Sequence, residues 1–142
     1  MKDFAVILQS AVVPYRVRDG RVEVMLITSL QTSRWIVPKG HLEPDMSVRE
    51  SAAKEAYEEA GLEGTVGHRP IGVYDYVKSD EENQKVRRVE VFLMEVSRIL
   101  DDWPEKHLRD RKWMLQENAA AAVLEPDLKK IIAGFSPLQT RP

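Results

Sequence analysis

Apolar residues crowd the first third of the chain in short bursts separated by polar punctuation. Residues 4–14, rich in Val, Ile and Leu, predict a buried strand. Arg18-Asp19-Gly20-Arg21 is a turn signal, and Val22 to Thr28 reads as the returning strand of a hairpin. Arg34 to Val37 is a shorter strand, which Pro38 and Gly40 are expected to break into a loop. The periodicity then changes. From Ser47 to Ala60 the small apolar residues Ala52, Ala53, Ala56 and Ala60 recur at helical spacing, and Gly61 is placed to end the helix. Ser47 with Glu50 three residues later has the form of a capping box.

Beyond Gly61, Glu63-Gly64-Thr65 reads as a connector, followed by strands near 66–77 and 86–97. The polar run Lys78 to Gln84 between them is expected to be a mobile hairpin loop. Asp101 to Arg111 is a charged connector, and Lys112 to Leu115 a last short strand. Gln116 to Leu124 and Pro126 to Ala133 are helical segments, with a frayed tail from Ser136. This order predicts an α/β (α+β) fold: a mixed sheet between the Ser47–Ala60 helix and a C-terminal helix, an α/β/α sandwich. At 142 residues, the chain has the length of one domain, residues 1–142.

The chemistry sits on the predicted helix. Glu55, Glu58 and Glu59 are three and four residues apart, so Glu55 shares a face with both of the others. Carboxylates packed this closely repel one another unless a cation lies between them. An all-oxygen set suits a hard divalent ion, Mg²⁺ or Mn²⁺. The plain alternative is an acidic, solvated helix face, with Lys54 pairing to Glu58 across one turn.

Spacing over the whole segment separates these readings. Gly40 to Leu62, GHLEPDMSVRESAAKEAYEEAGL, resembles the Nudix box, G-x5-E-x7-R-E-U-x-E-E-x-G-U with U a bulky apolar residue. Gly40, Glu55, Glu58, Glu59, Gly61 and Leu62 match, and Ala56 fills the first apolar position. Met46 stands where the pattern has its first glutamate, and Lys54 where it has arginine, which keeps a cation beside the carboxylates but loses a bidentate fork. The resemblance implies the same sandwich fold and a metal-dependent pyrophosphohydrolase. Glu55 and Glu59 would be the main metal ligands, joined by the Gly40 carbonyl and by Glu58. Glu58 or Glu59 would serve as base, with Lys54 beside them.

The likeness extends beyond the box. Ser29, Arg34-Trp35-Ile36-Val37-Pro38, Glu82-Asn83-Gln84, Leu100-Asp101-Asp102-Trp103 and Arg111-Lys112-Trp113 resemble the diphosphoinositol and diadenosine polyphosphate hydrolase branch. Positions matching Ser29, Arg34, Arg87 and Arg111 would hold substrate phosphates, with Lys39 adding charge. Lys39 and His41 depart from the glycine-rich loop of the inositol enzymes, and Arg87 replaces a histidine. These departures favour a dinucleoside polyphosphate over a diphosphoinositol compound. Each basic residue also has a structural alternative: Arg34 and Arg111 can pack their stems over neighbouring tryptophan rings. Strand alternation puts Arg87 and Arg88 on opposite faces, one toward a cleft and one toward solvent. His41, His68 and His107 read as surface residues, Trp35, Trp103 and Trp113 as core. Tyr74 and Tyr76 are candidates to face a nucleobase.

Composition narrows the partners. A net charge of −2 gives no general affinity for a nucleic-acid polymer. The absence of cysteine removes thiol nucleophiles, disulfides and Cys-based zinc sites and fits a cytoplasmic location. The N-terminal apolar run is too short and interrupted for a membrane span and lacks a signal-peptide cleavage pattern. Neither a nucleic-acid polymer nor a membrane is therefore expected as partner; the resemblance implies a small polyphosphorylated substrate, and a monomer or homodimer is expected. The competing reading is a Nudix-fold module that binds and senses a nucleotide without turning it over; Met46 and Lys54 favour it, and the intact glutamates oppose it.

Overall fold

Two long parallel strands form the spine of the protein. The computed structural model describes residues 5–77 and 85–137. Strand β1 (Val6–Arg18) runs parallel to β7 (Val86–Ile99), from Val6 opposite Val86 to Tyr15 opposite Glu95. On its other edge, β1 first pairs antiparallel with β4 (Lys39–His41) and then with β2 (Arg21–Thr28). Pro14, which has no N–H to donate, falls between these two pairings, where the ladder changes partner. Strand β7 divides likewise, pairing with β6 (Gly72–Val77) along one half and β5 (Leu62–Val66) along the other. Strands β3 (Trp35–Ile36) and β8 (Arg111–Leu115) both pair with β2, completing a mixed sheet of eight strands among the described residues.

Alternation along the spine builds two cores. Val12, Phe92 and Met94 face helix α1 (Val48–Ala60), whose Ala52, Ala56 and Ala60 are fully buried against the sheet. Ala11, Val13, Tyr15, Val89, Val91 and Leu93 face α2 (Gln116–Ala122) and α3 (Pro126–Gly134). The α/β/α sandwich is as expected, with two short helices on the second face. The alanines matter energetically because their small side chains let α1 lie close to the strands, so the whole carboxylate-bearing helix is held against the sheet.

Local signals were realised where the chemistry is local. Asp19 and Gly20 both adopt positive φ, 53° and 75°, as a two-residue hairpin turn requires. Ser47 and Glu50 form the reciprocal capping box, and Gly61 ends α1 in the left-handed region at φ 66°. Three expectations fail. The strand read near 66–77 is broken: Val66 ends β5, and only Gly72–Val77 form β6. Gly40 lies inside strand β4, not in a loop, because Gln9-Ser10-Ala11 of β1 offers it a ladder. Glu63-Gly64-Thr65 belongs to edge strand β5, with a register shift at Glu63/Gly64, and is not a connector. The tail is anchored as far as Pro137, whose carbonyl accepts a hydrogen bond from the Tyr15 hydroxyl at 3.0 Å. The loop expected over Lys78 to Gln84, including Glu82-Asn83-Gln84, lies outside the described residues. Among the described residues, no helix is long and apolar enough to cross a membrane.

Candidate metal centre and a cluster of basic residues

The three glutamates separate into a buried pair and a half-exposed single. Glu55 and Glu59, one turn apart on the inner side of α1, are 9% and 7% exposed. Their carboxyl groups are within hydrogen-bonding reach of each other. Burial pushes the Glu59 carboxyl up to about 8; Arg109 opposes the rise, Glu55 adds to it, and the hydrogen bond from the Lys39 main chain opposes it. Burial also raises the Glu55 carboxyl. Two buried carboxyls this close share a proton rather than carry two negative charges.

Glu58 points elsewhere. Lys54, four residues earlier, approaches it at 2.8 Å and also reaches Glu43 at 3.2 Å. These two hydrogen bonds hold the Lys54 ammonium firmly in its charged form. The expected three-carboxylate cluster is therefore two plus one, and Lys54 is a partner of Glu58 rather than of the buried pair. Among the described residues, no three acidic or imidazole side chains converge as a preformed metal site.

Strand β4 explains the glycine. The Lys39 N–H donates to Glu59 Oε1 at 3.1 Å, fixing β4 against α1. At Gly40 a Cβ would run into the Glu55 carboxyl, so only glycine lets the main chain approach that side chain this closely. The donor chemistry suits a hard divalent ion: two buried carboxyls with raised proton affinity next to an accessible main-chain strand would exchange the shared proton for a cation.

Several side chains that the sequence did not single out complete the centre. Arg109, with its side chain 8% exposed, lies 3.5 Å from Glu59 Oε2 and 2.9 Å from Glu105 Oε1 and donates to the Thr28 carbonyl at 3.0 Å. The only sequence signal for it is the Glu105–Arg109 spacing of four inside an otherwise charged connector.

On the opposite face of β4, cations gather around Tyr76. Burial holds the Lys39 ammonium below the usual lysine range, while Glu59 and Glu125 pull it back up. Lys39 Nζ sits 5.1 Å from the Tyr76 ring centroid, and the Arg87 guanidinium 6.0 Å from the same ring. Tyr76 donates its hydroxyl to Gln9 Oε1 at 2.9 Å. Arg34 Nη2 donates to Glu125 Oε2 at 3.0 Å; its Nη1 is buried and has no hydrogen-bond partner among the described residues. Ser29 shapes the approach to Arg34, its hydroxyl sharing a hydrogen bond with Thr32 and accepting one from the Arg34 N–H. As alternation required, Arg87 points inward and Arg88 outward, the latter binding Asp75. Tyr74 is buried in the core, its ring stacked on that of Tyr76 with centroids 6.2 Å apart.

Arg111 departs from expectation. Its guanidinium donates to the carbonyls of Ala60 (2.8 Å) and Leu100 (2.7 Å) and stacks 3.8 Å from the Trp103 ring centroid. It is therefore committed to the C-terminal end of α1 and is not grouped with Arg34, Lys39 and Arg87. The ring beside it is Trp103, not the adjacent Trp113, which instead lies under Arg16 at 4.1 Å. His41, His68 and His107 are exposed, as read.

The chain is similar to known proteins in sequence and in fold. The NUDIX domain family model matches residues 8–135. The chain is 37% identical over 117 residues to Nudix hydrolase 18, mitochondrial, of Arabidopsis thaliana, covering 78% of this chain and 65% of that protein. It is 39% identical over 101 residues to the diphosphoinositol polyphosphate phosphohydrolase 3-alpha of Mus musculus, covering 68% of this chain and 57% of that protein. The chain thus spans less than two thirds of the length of these relatives. Among solved structures, the C. elegans Ap4A hydrolase binary complex superimposes with a TM-score of 0.66 at 19% identity, covering 89% of this chain and 92% of the other. The NUDIX domain of Shewanella oneidensis NrtR, complexed with ADP ribose, does so with a TM-score of 0.65 at 16% identity, covering 93% and 86%. With its box helix, its sandwich fold and a family match spanning nearly the whole sequence, the chain belongs to the Nudix family.

Proposed function

We propose that this protein is a divalent-metal-dependent pyrophosphohydrolase that cleaves a P–O–P bond in a small polyphosphorylated metabolite. The observation that carries this reading is the buried Glu55–Glu59 pair set against Gly40. Glu55, Glu59 and the Gly40 carbonyl would hold Mg²⁺ or Mn²⁺, with Glu58 contributing from the rim. A bound ion supplies charge neutralisation for the phosphoryl oxygens and lowers the pKa of a water. Glu58, half exposed and oriented by its ion pair with Lys54, would take the proton from an attacking water. Arg109 compensates Glu59 at Oε2, the oxygen that does not accept from the Lys39 N–H.

Substrate phosphates would lie across β4, where Arg34, Lys39 and Arg87 surround Tyr76 and Ser29 orders the turn before Arg34. Three cations across β4 from the carboxylates favour a chain of phosphates, long enough to reach both, over a nucleotide sugar, so a dinucleoside polyphosphate or a diphosphoinositol-type compound is the substrate class. Removing one charge-assisted hydrogen bond to phosphate costs roughly 1.5–3 kcal/mol, or at least about tenfold in kcat/KM. Initial rates over a dinucleoside polyphosphate series should rise with phosphate number, and Arg34→Ala or Arg87→Ala should flatten the rise. A nucleotide sugar as best substrate would refute the phosphate-chain assignment. The second reading, a binding module without turnover, draws on the two-plus-one arrangement of the glutamates. Tight nucleotide binding with no product under saturating Mg²⁺ would establish it instead.

A further inference from the structure

The end of α1 is capped in an unusual way. A helix leaves its last carbonyls without intrahelical donors, and many helices leave them to solvent. Here Glu58 O accepts from the Glu105 N–H at 3.0 Å, and Gly61 O from the Leu100 N–H at 2.8 Å. Glu59 O accepts from Trp103 Nε1 at 3.2 Å, and Ala60 O from Arg111 Nη1 at 2.8 Å. All four donors come from residues 100–111. Arg111 ties this segment to itself through the Leu100 carbonyl and clamps the Trp103 ring from one side. The other requirement is at Gly61, where a side chain would collide with the same ring.

The turn being capped carries Glu58 and Glu59. A carboxylate at the end of a helix is only as well placed as the backbone of its last turn, and ligand geometry tolerates displacements of about half an ångström. The same segment delivers Arg109 to Glu59 and Glu105 to Arg109. Backbone and counter-charge of the last turn are thus registered by one piece of chain.

We infer that Arg111 and Trp103 are positioning residues for the metal-holding carboxylates, acting through the backbone of the last turn of α1 and not through contact with substrate phosphate. This rests on the metal reading above. It replaces the sequence-based role of Arg111 with a different one and gives Trp103 a role that its neighbours in the sequence do not suggest.

The test is Mn²⁺ binding, followed by electron paramagnetic resonance of the free ion, for the wild-type protein and for Arg111→Ala, Arg111→Lys and Trp103→Phe. Circular dichroism establishes that each variant is folded at the temperature used. Arg111→Ala should weaken Mn²⁺ binding by about tenfold or more, as loss of a group that orients a metal ligand does. Trp103→Phe, which keeps a ring and loses the N–H, and Arg111→Lys, which keeps the charge and loses the fork, should each weaken it severalfold. The KM for a polyphosphate substrate at saturating metal should not change. Should Arg111→Ala fail to fold, the other two variants carry the test by the same criterion. Variants that bind Mn²⁺ like the wild type overturn the inference, as does a raised KM with unchanged metal affinity, which would return Arg111 to the phosphates. A wild-type protein that binds no Mn²⁺ removes the metal reading and this inference with it.

Discussion

Replacing Glu59 by glutamine should stabilise the metal-free protein at mildly alkaline pH while removing its function. Glu59 is buried beside Glu55, and its carboxyl is pushed up to about 8 from an ordinary 4.5. Between these values the folded state binds a proton that the unfolded chain has released. The associated stability is therefore fully present below about 4.5 and is lost as the pH rises through about 8. At roughly 1.4 kcal/mol per unit, the loss amounts to about 5 kcal/mol at most. A domain holds on the order of 5–15 kcal/mol in total, so the effect is large. Glutamine removes the titration, still accepts the Lys39 N–H, and leaves Arg109 with Glu105 and the Thr28 carbonyl. Glu55 titrates with the same sign, while Lys39, held low by burial, acts oppositely in a window below 10.5; both feel Glu59, so the difference between the two proteins reports the coupled group and not Glu59 alone. Urea unfolding in EDTA at pH 5, 6, 7 and 8 measures the difference. The wild type should lose stability relative to Glu59→Gln by several kcal/mol across this range, with the two nearly equal at pH 5. Parallel profiles would refute the reasoning.

Other consequences are open to direct measurement. Millimolar Mg²⁺ should raise the thermal midpoint of the wild type more at pH 8 than at pH 6, because the ion competes with a proton at Glu55 and Glu59; a shift independent of pH would argue against that competition. Glu58→Gln and Glu59→Gln should each reduce turnover by on the order of 100-fold or more with the fold intact, and near-wild-type rates in both would contradict the assigned roles. Gly40→Ala should weaken Mg²⁺ activation by displacing Glu55, while stability changes by only about 1 kcal/mol because a flexible carboxylate, not backbone, gives way. Met46→Glu should alter stability by within about 0.5 kcal/mol and rate little, since Met46 is exposed at the start of α1; a large gain in rate would mean that the natural protein is an impaired enzyme.

What could be read from the sequence was what the chain decides within a few residues. The capping box joins Ser47 to Glu50, the hairpin turns on Asp19 and Gly20, and Lys54 meets Glu58 one turn on. Alternation along β7 separated Arg87 from Arg88 correctly. Errors arose where a partner distant in the sequence decides. Gly40 carries a loop signal, yet β1 recruits it into a strand some thirty residues away. Gly64 carries a connector signal, yet β7 holds it in an edge strand through a bulge. Three carboxylates at helical spacing read as one cluster, but neighbours divide them: Lys54 draws Glu58 outward, and β4 buries the other two. Arg111 was placed with the phosphates and lies at the end of α1 because Trp103, not the adjacent Trp113, forms its stacking surface. Glu125 pairs with Arg34 from 91 residues away, and no local pattern announces it.

The most direct measurement is product formation from a set of diadenosine polyphosphates and diphosphoinositol polyphosphates, followed by chromatography with Mg²⁺ or with EDTA, for the wild type and a Glu55→Gln/Glu59→Gln double variant. Cleavage at a phosphoric anhydride that requires the metal and disappears in the folded double variant is the predicted result. No cleavage of any of these compounds by folded wild-type protein at saturating Mg²⁺ or Mn²⁺, or undiminished cleavage by the double variant, would contradict it.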